Sequence, residues 1–167
     1  MADAYTTLLQ GIAARLCNGT GDNGPFASEG QVQLWVDSAT DEIQPSEELT
    51  RALSGEGARA VVCDSTLEPV QSHSDGCDVI QRVNVWFGAN APTMEMAIVA
   101  QGDAKNGGYW GVCKLKDWIL TRLLARNWRL SGWETLQLER CVAVRAPQPG
   151  KAMMVATFST LRVQTQT

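Results

Sequence analysis

The sequence predicts an α+β fold: a mixed, mostly antiparallel sheet with helices packed on one face and a long β-hairpin at the C-terminus. Apolar residues at helical spacing form a stripe of Val112, Leu115, Ile119 and Leu123. From Val79 to Phe87, every second residue lies on a mostly aliphatic face and the residues between them on a mixed one, which is the clearest strand pattern in the chain. Two strand-like runs, 136–146 and 152–164, flank a turn-forming segment at 147–151, and together they predict the hairpin.

Length and charge bound the class of protein. With 167 residues, the chain has the size of a single domain, 1–167, that can bury one core. The net charge of −4 and the pI near 5.0 argue against a nucleic-acid-binding protein, which needs a basic surface that neutralises several phosphates. We therefore expect no sequence-specific binding of nucleic acid.

Cysteine usage and the N-terminus indicate a compartment. The five cysteines include no Cys-x-x-Cys pair, and their odd number is typical of reduced thiols in a cytosolic setting. No basic segment precedes an apolar stretch at the N-terminus, and no run approaches the roughly 20 apolar residues of a membrane span. We expect synthesis in a cytoplasm and no association with a membrane.

The first half of the chain alternates helices and strands. An amphipathic helix is predicted over 3–17, and a glycine-rich, mobile loop without phosphate-binding spacing over 18–30. A short strand follows at 31–36, then a helix from an N-cap at Ser46 to about Leu53. The next strand, at 60–63, extends toward Val70 with a break at Pro69, and 71–78 forms a turn.

The second half contains the strand over 79–87, a second mobile loop at 88–107 and the main helix. A single helical turn is predicted at 94–97 within that loop, and the helix runs from Gly108 to about Trp128. In the first hairpin strand, simple alternation places Leu136, Leu138, Val142 and Val144 on one face together with Arg140. Each hairpin strand approaches a dozen residues, longer than is usual, and exposed strand edges invite pairing with another chain.

Catalytic and metal-binding motifs are missing from the sequence. The single histidine, His73, lies near Asp75, Cys77 and Asp78, a set that contains zinc-ligand types. A turn between two strands explains this polar stretch better, because four ligands within six residues would be cramped. We expect no catalytic residue, no metal and no cofactor, and a protein that is not an enzyme.

Tryptophans and cations mark the expected interaction surface. Four of the six tryptophans lie between Trp110 and Trp133, and tryptophan is enriched in protein interfaces. Five cations occur from Lys114 to Arg129, where they complement the dipole of the predicted helix. We expect the following residues at an interface with another subunit or partner: Trp86, Trp110, Trp133, Arg140, Arg145, Lys151 and Arg162.

The order of these elements resembles that of the tail terminator, or tail completion, proteins of Mu-like bacteriophages. The residues that carry the resemblance are the helix ending in 12–16, the strands at 59–63 and 81–87, the helix at 118–124 and the closing hairpin. The resemblance spans most of the chain and rests on pattern and order.

The resemblance implies a structural virion protein. Its implied assembly is a homohexameric ring that caps the tail tube and connects it to the head. Its implied partners are the tail tube protein, head–tail connector or neck proteins and, in a contractile tail, the sheath protein. Another tail or neck ring protein is the nearest alternative, and a small cytoplasmic enzyme or a binding module is a more distant one.

Overall fold

A five-stranded sheet is the frame of the protein. The computed structural model describes residues 3–17, 24–26, 31–36, 47–54, 57–73, 76–99, 110–144 and 151–165. The strands are β1 (Val32–Val36), β2 (Ala58–His73), β3 (Gly76–Asn90), β4 (Gln137–Val144) and β5 (Lys151–Thr165). They lie in the order β1-β2-β3-β5-β4, with β1 parallel to β2 and every other neighbouring pair antiparallel. The α+β class and the C-terminal hairpin are therefore confirmed.

Four helices accompany the sheet. They are α1 (Ala4–Leu16), α2 (Glu47–Ala52), α3 (Met94–Ile98) and α4 (Val112–Leu123). We call the side of the sheet covered by α1 and α4 the helix face. Strand residues with side chains on this face pack with one stripe of each helix into the main core: Leu8, Ile12, Leu16, Val83, Val85, Phe87, Leu115, Ile119 and Leu123.

A second core lies on the opposite face. Leu49 and Leu53, in α2 and directly after it, pack there with Val61, Trp86 and Val155. Trp86 lies between Val85 and Phe87 in β3, so its side chain must point away from the helix face. The prediction of helices on one face holds for α1 and α4 but not for α2. This short helix connects the parallel strands β1 and β2 and covers the other side.

Local sequence explains the first helix. Asp3 is its N-cap, and its carboxylate accepts hydrogen bonds from the Thr6 N–H and hydroxyl, both at 2.8 Å. Gly11 lies in the middle of α1, where glycine weakens a helix. A methyl group at this position would come within 2.4 Å of a Leu130 side-chain carbon, so the glycine lets the segment after α4 cross the helix closely.

The longest hairpin is formed by β2 and β3, not by the C-terminal strands. β2 has 16 residues and β3 has 15, whereas the sequence predicted a strand from 60–63 toward Val70, with a break at Pro69, and a strand at 79–87. The predicted turn at 71–78 is a narrow hairpin end, because His73 pairs with Gly76. In the C-terminal hairpin, β5 has 15 residues but β4 only 8, so the two strands are unequal.

A bulge corrects the predicted faces of β4. Leu138 pairs with Phe158 and Arg140 pairs with Thr157, which leaves Glu139 as an extra residue. Because paired residues share a face, Leu138 lies on the helix face, whereas Arg140 lies on the opposite face. Simple alternation had placed these two side chains together.

Other predicted boundaries also change. α4 ends at Leu123 with Leu124 as its C-cap, so Trp128 lies beyond the helix. In the predicted loop 88–107, β3 continues to Asn90 and α3 occupies Met94–Ile98; residues 100–109 lie outside the described residues. In the predicted loop 18–30, residues 24–26 are described, and Phe26 is fully buried in the main core. The chain is therefore anchored at this point.

Candidate interaction surfaces

Three strands extend past their neighbours at one end of the sheet. β1 pairs with β2 only as far as Asp64, and β4 pairs with β5 only as far as Ser159. Beyond these points, 67–73 of β2, 76–81 of β3 and 160–165 of β5 continue as a three-stranded extension, which we call the arm. Its edge on the β5 side is partly covered, since the Glu134 N–H donates to the Leu161 carbonyl at 2.9 Å.

The β2 edge of the arm is open within the described part of the chain. All seven residues from Thr66 to Ser72 are exposed, and they include Leu67 and Val70 with 50% and 55% of their surfaces accessible. Register shifts at Asp64/Leu67 and Pro69/Gln71 interrupt the pairing of this strand with β3. Bulges and proline are devices that prevent continuous edge-to-edge pairing. The arm therefore offers side chains to a partner more readily than a regular backbone ladder.

A charged belt crosses the sheet at the base of the arm, on the face that carries α2. The Arg82 guanidinium of β3 contacts Glu68 of β2 at 2.8 Å and Glu139 of β4 at 3.0 Å. The hydrogen bonds that Arg82 donates to the carboxylates of Glu68 and Glu139 raise the pKa of Arg82, so the guanidinium stays charged. Glu139 directly follows Leu138, which lies on the helix face, so its side chain lies on the same face as Arg82. One arginine thus ties together strands on both sides of β3.

Two arginines hold the ends of α1 and α4 together. The Arg15 Nε donates to the Arg122 carbonyl, and the Arg122 Nε donates to the Arg15 carbonyl, both at 3.1 Å. Both carbonyls lie in the last turn of their helix, where C=O groups lack intrahelical partners and carry the negative end of the dipole. Each arginine therefore caps the neighbouring helix. Cations thus lie at the negative ends of the helix dipoles, as predicted, but each arginine contacts the end of the other helix and not of its own.

Tryptophans and cations contact one another in a row along this helix pair. The Lys114 ammonium lies 4.7 Å from the centre of the Trp110 ring, and Trp110 meets Trp118 edge-on at 5.9 Å. The Arg122 guanidinium lies 4.8 Å from the Trp118 ring, and that of Arg15 lies 5.3 Å from the Trp128 ring. We call this set the Trp–cation row: Lys114, Trp110, Trp118, Arg122, Arg15 and Trp128. Sequence spacing had placed most of them near one another but gave no indication of Arg15.

A second aromatic cluster lies under the N-terminal end of α1. Trp133 packs edge-on against Tyr5 at 5.4 Å, and the Arg162 guanidinium lies 5.5 Å from both rings. The Trp133 indole N–H donates to the Ala4 carbonyl at 3.1 Å, which fixes the ring inside the protein. Only 3% of the Trp133 surface is exposed. This tryptophan holds α1 against the sheet.

The predicted interface residues are dispersed over the molecule. Trp86 is 4% exposed in the second core, so it and Trp133 are core residues that offer little surface to a partner. The positions of these tryptophans in the sequence do not reveal their burial within the chain. Trp110 is partly exposed in the Trp–cation row, Arg140 is exposed at the β4 bulge, and Lys151 begins β5. Arg162 lies over Trp133 and Tyr5, and Arg145 lies outside the described residues.

A shallow groove of about 570 Å³ runs beside the Trp133 cluster at the base of the arm. Its rim carries an ion pair between Arg129 and Glu134, whose charged groups are 3.5 Å apart and largely exposed. The groove is lined by Arg129, Leu130, Ser131, Gly132, Trp133, Glu134 and Leu161. Because the Trp133 N–H already bonds to Ala4, the groove presents mainly backbone and rim charges.

The residues weighed as metal ligands do not form a described cluster. Asp75 lies outside the described residues, and the part of the chain that the structure describes contains no group of three or more His, Cys, Asp or Glu side chains placed to hold a metal ion. Burial raises the pKa of the Cys141 thiol, which disfavours its reactive thiolate form. The arm, the Trp–cation row and the groove beside Trp133 are thus the candidate interaction surfaces of the described residues.

Two comparisons, with protein-family models and with curated proteins, supply no relative from which a function could be transferred to this chain. No protein-family model matches this chain, and no curated protein matches it either. Across the described segments, no helix has the length and apolar character needed to cross a bilayer.

Proposed function

We propose that this chain is a structural virion protein, a tail terminator that assembles in the host cytoplasm. It forms a homohexameric ring that caps the tail tube and joins it to the head–tail connector or neck proteins. In a contractile tail the ring also contacts the sheath. Its role is mechanical, and it requires no catalytic residue or cofactor.

The observation that carries this proposal is the arm. β3 spans about 50 Å at a rise of roughly 3.3 Å per residue, so the arm places its end far from the main core. Leu67 and Val70 are half exposed there, although burying such side chains contributes about 1.5–3 kcal/mol each. Exposed apolar side chains on a projecting element are typical of surfaces that another chain covers.

The position of the arm favours a ring over a two-fold dimer. It lies at one end of the sheet, whereas α3, with its exposed Met94 and Ile98, follows the opposite end of β3. A contact between different surfaces of adjacent copies is heterologous, and such contacts form a ring when the rotation closes. When the rotation between adjacent copies does not close, such contacts form an open polymer. The alternative, a tube-like tail protein, would form such a polymer.

Light scattering coupled to size exclusion tests the assembly, with the purified chain alone and mixed with tubes of its cognate tail tube protein. We expect a species of six times the 18.1 kDa chain mass in at least one condition. L67D and V70D should abolish it, because a buried unpaired carboxylate costs several kcal/mol. L34D, which adds the same charge at an exposed leucine outside both the arm and α3, is the matched control for the arm contact.

Two results would count against the proposal. A chain that stays monomeric both alone and on assembled tubes is not a ring subunit. Open filaments of indefinite length would instead support the tube-like alternative. The melting temperature of L67D and V70D monomers should match that of the wild-type monomer, because both side chains are already exposed.

A further inference from the structure

Positive charge is concentrated on the α1–α4 layer of an acidic protein. Residues 3–17 and 110–130 contain six Lys or Arg and two Asp, a net charge of +4, although the whole chain carries −4. Three of these cations, Arg15, Lys114 and Arg122, belong to the Trp–cation row. The layer therefore attracts negative groups at short range while the whole molecule does not.

The geometry of the row limits what it recognises. Trp110, Trp118 and Trp128 are partly buried and pack against the main core, while a cation lies over each ring. The ring faces are thus occupied. The Lys114 side chain is exposed, and Arg15, Arg122 and the three tryptophans are each partly exposed. Such a surface matches carboxylates interspersed with small apolar side chains.

The row is also held rigidly. The Nε atoms of Arg15 and Arg122 are bonded to helix-end carbonyls, so both guanidinium groups are fixed before any ligand binds. Preorganised side chains lose little entropy on binding, which favours recognition of a short segment. Lys114, by contrast, is exposed and reaches the row from the first turn of α4.

We propose that the Trp–cation row is a docking site for an acidic, extended peptide segment of a partner protein. Carboxylates of the segment pair with Lys114, Arg122 and Arg15, and its apolar residues contact the indole edges. This surface is separate from the arm, so the proposal does not depend on ring assembly.

Nucleic acid fits the same surface less well. Single strands bind by stacking bases on open aromatic faces, and here cations and the core cover the three indoles. Phosphate-driven binding requires neutralisation of several phosphates in succession, which the net charge of −4 opposes. A peptide requires only a few local carboxylates.

Fluorescence anisotropy with the full chain tests the proposal. The probe is a fluorescein-labelled peptide of alternating glutamate and leucine, compared with the same peptide carrying glutamine in place of glutamate. We expect the glutamate peptide to bind and the glutamine peptide to bind at least about tenfold more weakly, since charge-assisted contacts are the stronger ones. Binding should weaken as salt is added.

Variants locate the site. K114A should weaken binding of the glutamate peptide about tenfold, and W110L by a similar factor. R126A removes one exposed cation of the same layer outside the row and should change binding by less than about twofold. Far-UV circular dichroism verifies that each variant is folded, and K114A changes an exposed side chain that the core does not need.

Three outcomes overturn the proposal. The first is no binding of the glutamate peptide, and the second is an equal loss of binding for R126A and K114A. The third is a labelled oligothymidine that binds more tightly than the glutamate peptide, which would assign the row to nucleic acid. None of these outcomes bears on whether the arm assembles a ring.

Discussion

In this protein, side chains of single residues form hydrogen bonds with the unpaired backbone groups at helix ends. Asp3 does so for α1 from within the same chain segment, accepting from the Thr6 N–H and hydroxyl. These hydrogen bonds, chiefly that from the Thr6 backbone N–H, lower the pKa of Asp3 below its ordinary value. A carboxyl group whose pKa is depressed by folding stabilises the folded state when ionised.

Replacing Asp3 tests this cap and its pH dependence. The stabilisation is fully present above the ordinary aspartate pKa of about 3.9 and is lost as the pH falls through the lower folded-state pKa. D3A should therefore lower the melting temperature at neutral pH, and the difference from wild type should shrink in acid. D3N keeps a capping oxygen and should lie closer to wild type at neutral pH. Equal melting curves for D3A and wild type would show that the cap contributes nothing.

Two tryptophans leave a buried N–H group without a hydrogen bond among the described residues. The indole nitrogens of Trp86 and Trp118 are buried, and among the described residues neither has a hydrogen-bond partner. Their rings nevertheless pack into the two cores, where aromatic side chains contribute large apolar area. Burial of the ring thus outweighs the unpaired N–H at both positions.

At the scale of elements, the reciprocal caps of Arg15 and Arg122 join α1 to α4. Each arginine adds a hydrogen bond to a helix-end carbonyl and a stacking contact with a tryptophan. Because the acceptors are backbone carbonyls, replacing one arginine leaves the acceptor of the other in place. The two contributions should therefore be nearly independent.

A double-mutant cycle measures this independence. R15A and R122A should each lower the free energy of unfolding by about 1 kcal/mol, the usual value of such a hydrogen bond. The double variant should lose the sum within about 0.5 kcal/mol. R126A, an exposed arginine that is in neither cap, serves as the reference in urea titrations. Losses no larger than that of R126A would show that the crossed caps do not stabilise the helix pair.

Elements with a strong local period were predictable, and those shaped by distant contacts were not. The apolar stripe of α4 and the alternating residues of β3 could be recognised in the sequence, because burial gives each element a regular pattern. The end of β2 from Gln71 to His73 was predicted as part of a turn, and it adopts a strand because it pairs with β3. The bulge at Glu139 and the position of α2 likewise depend on tertiary contacts that no local period records.

The candidate surfaces were predictable to a similar degree. Tryptophan clustering drew attention to the region from Trp110 to Trp133, but it did not separate the partly exposed Trp110 from the buried Trp133. Arg15 lies 107 positions from its partner Arg122, so the crossed caps have no local signal. The arm was not predicted, because the sequence indicated a turn at 71–78, where β2 and β3 in fact pair as far as His73 and Gly76.

At the scale of the whole molecule, stability should fall from the centre of the sheet toward the arm. The centre of β3, from Val83 to Phe87, lies between β2 and β5 and has packed cores on both faces. The arm has an open β2 edge, two register shifts and exposed residues over 66–72. Regions with few buried apolar contacts open at lower free energy than the core.

Hydrogen exchange followed by mass spectrometry tests this gradient on the isolated chain. Peptides covering 67–73 should exchange well before those covering 60–63, although both belong to β2, because only the latter are paired on both sides. Peptides covering 83–87 should be slowest. If a partner covers the arm on assembly, exchange over 67–73 should slow in the ring while that over 83–87 stays unchanged. Uniform exchange along β2 in the monomer would show that the arm is as stable as the centre of the sheet. Assembly would then have no less stable segment to order.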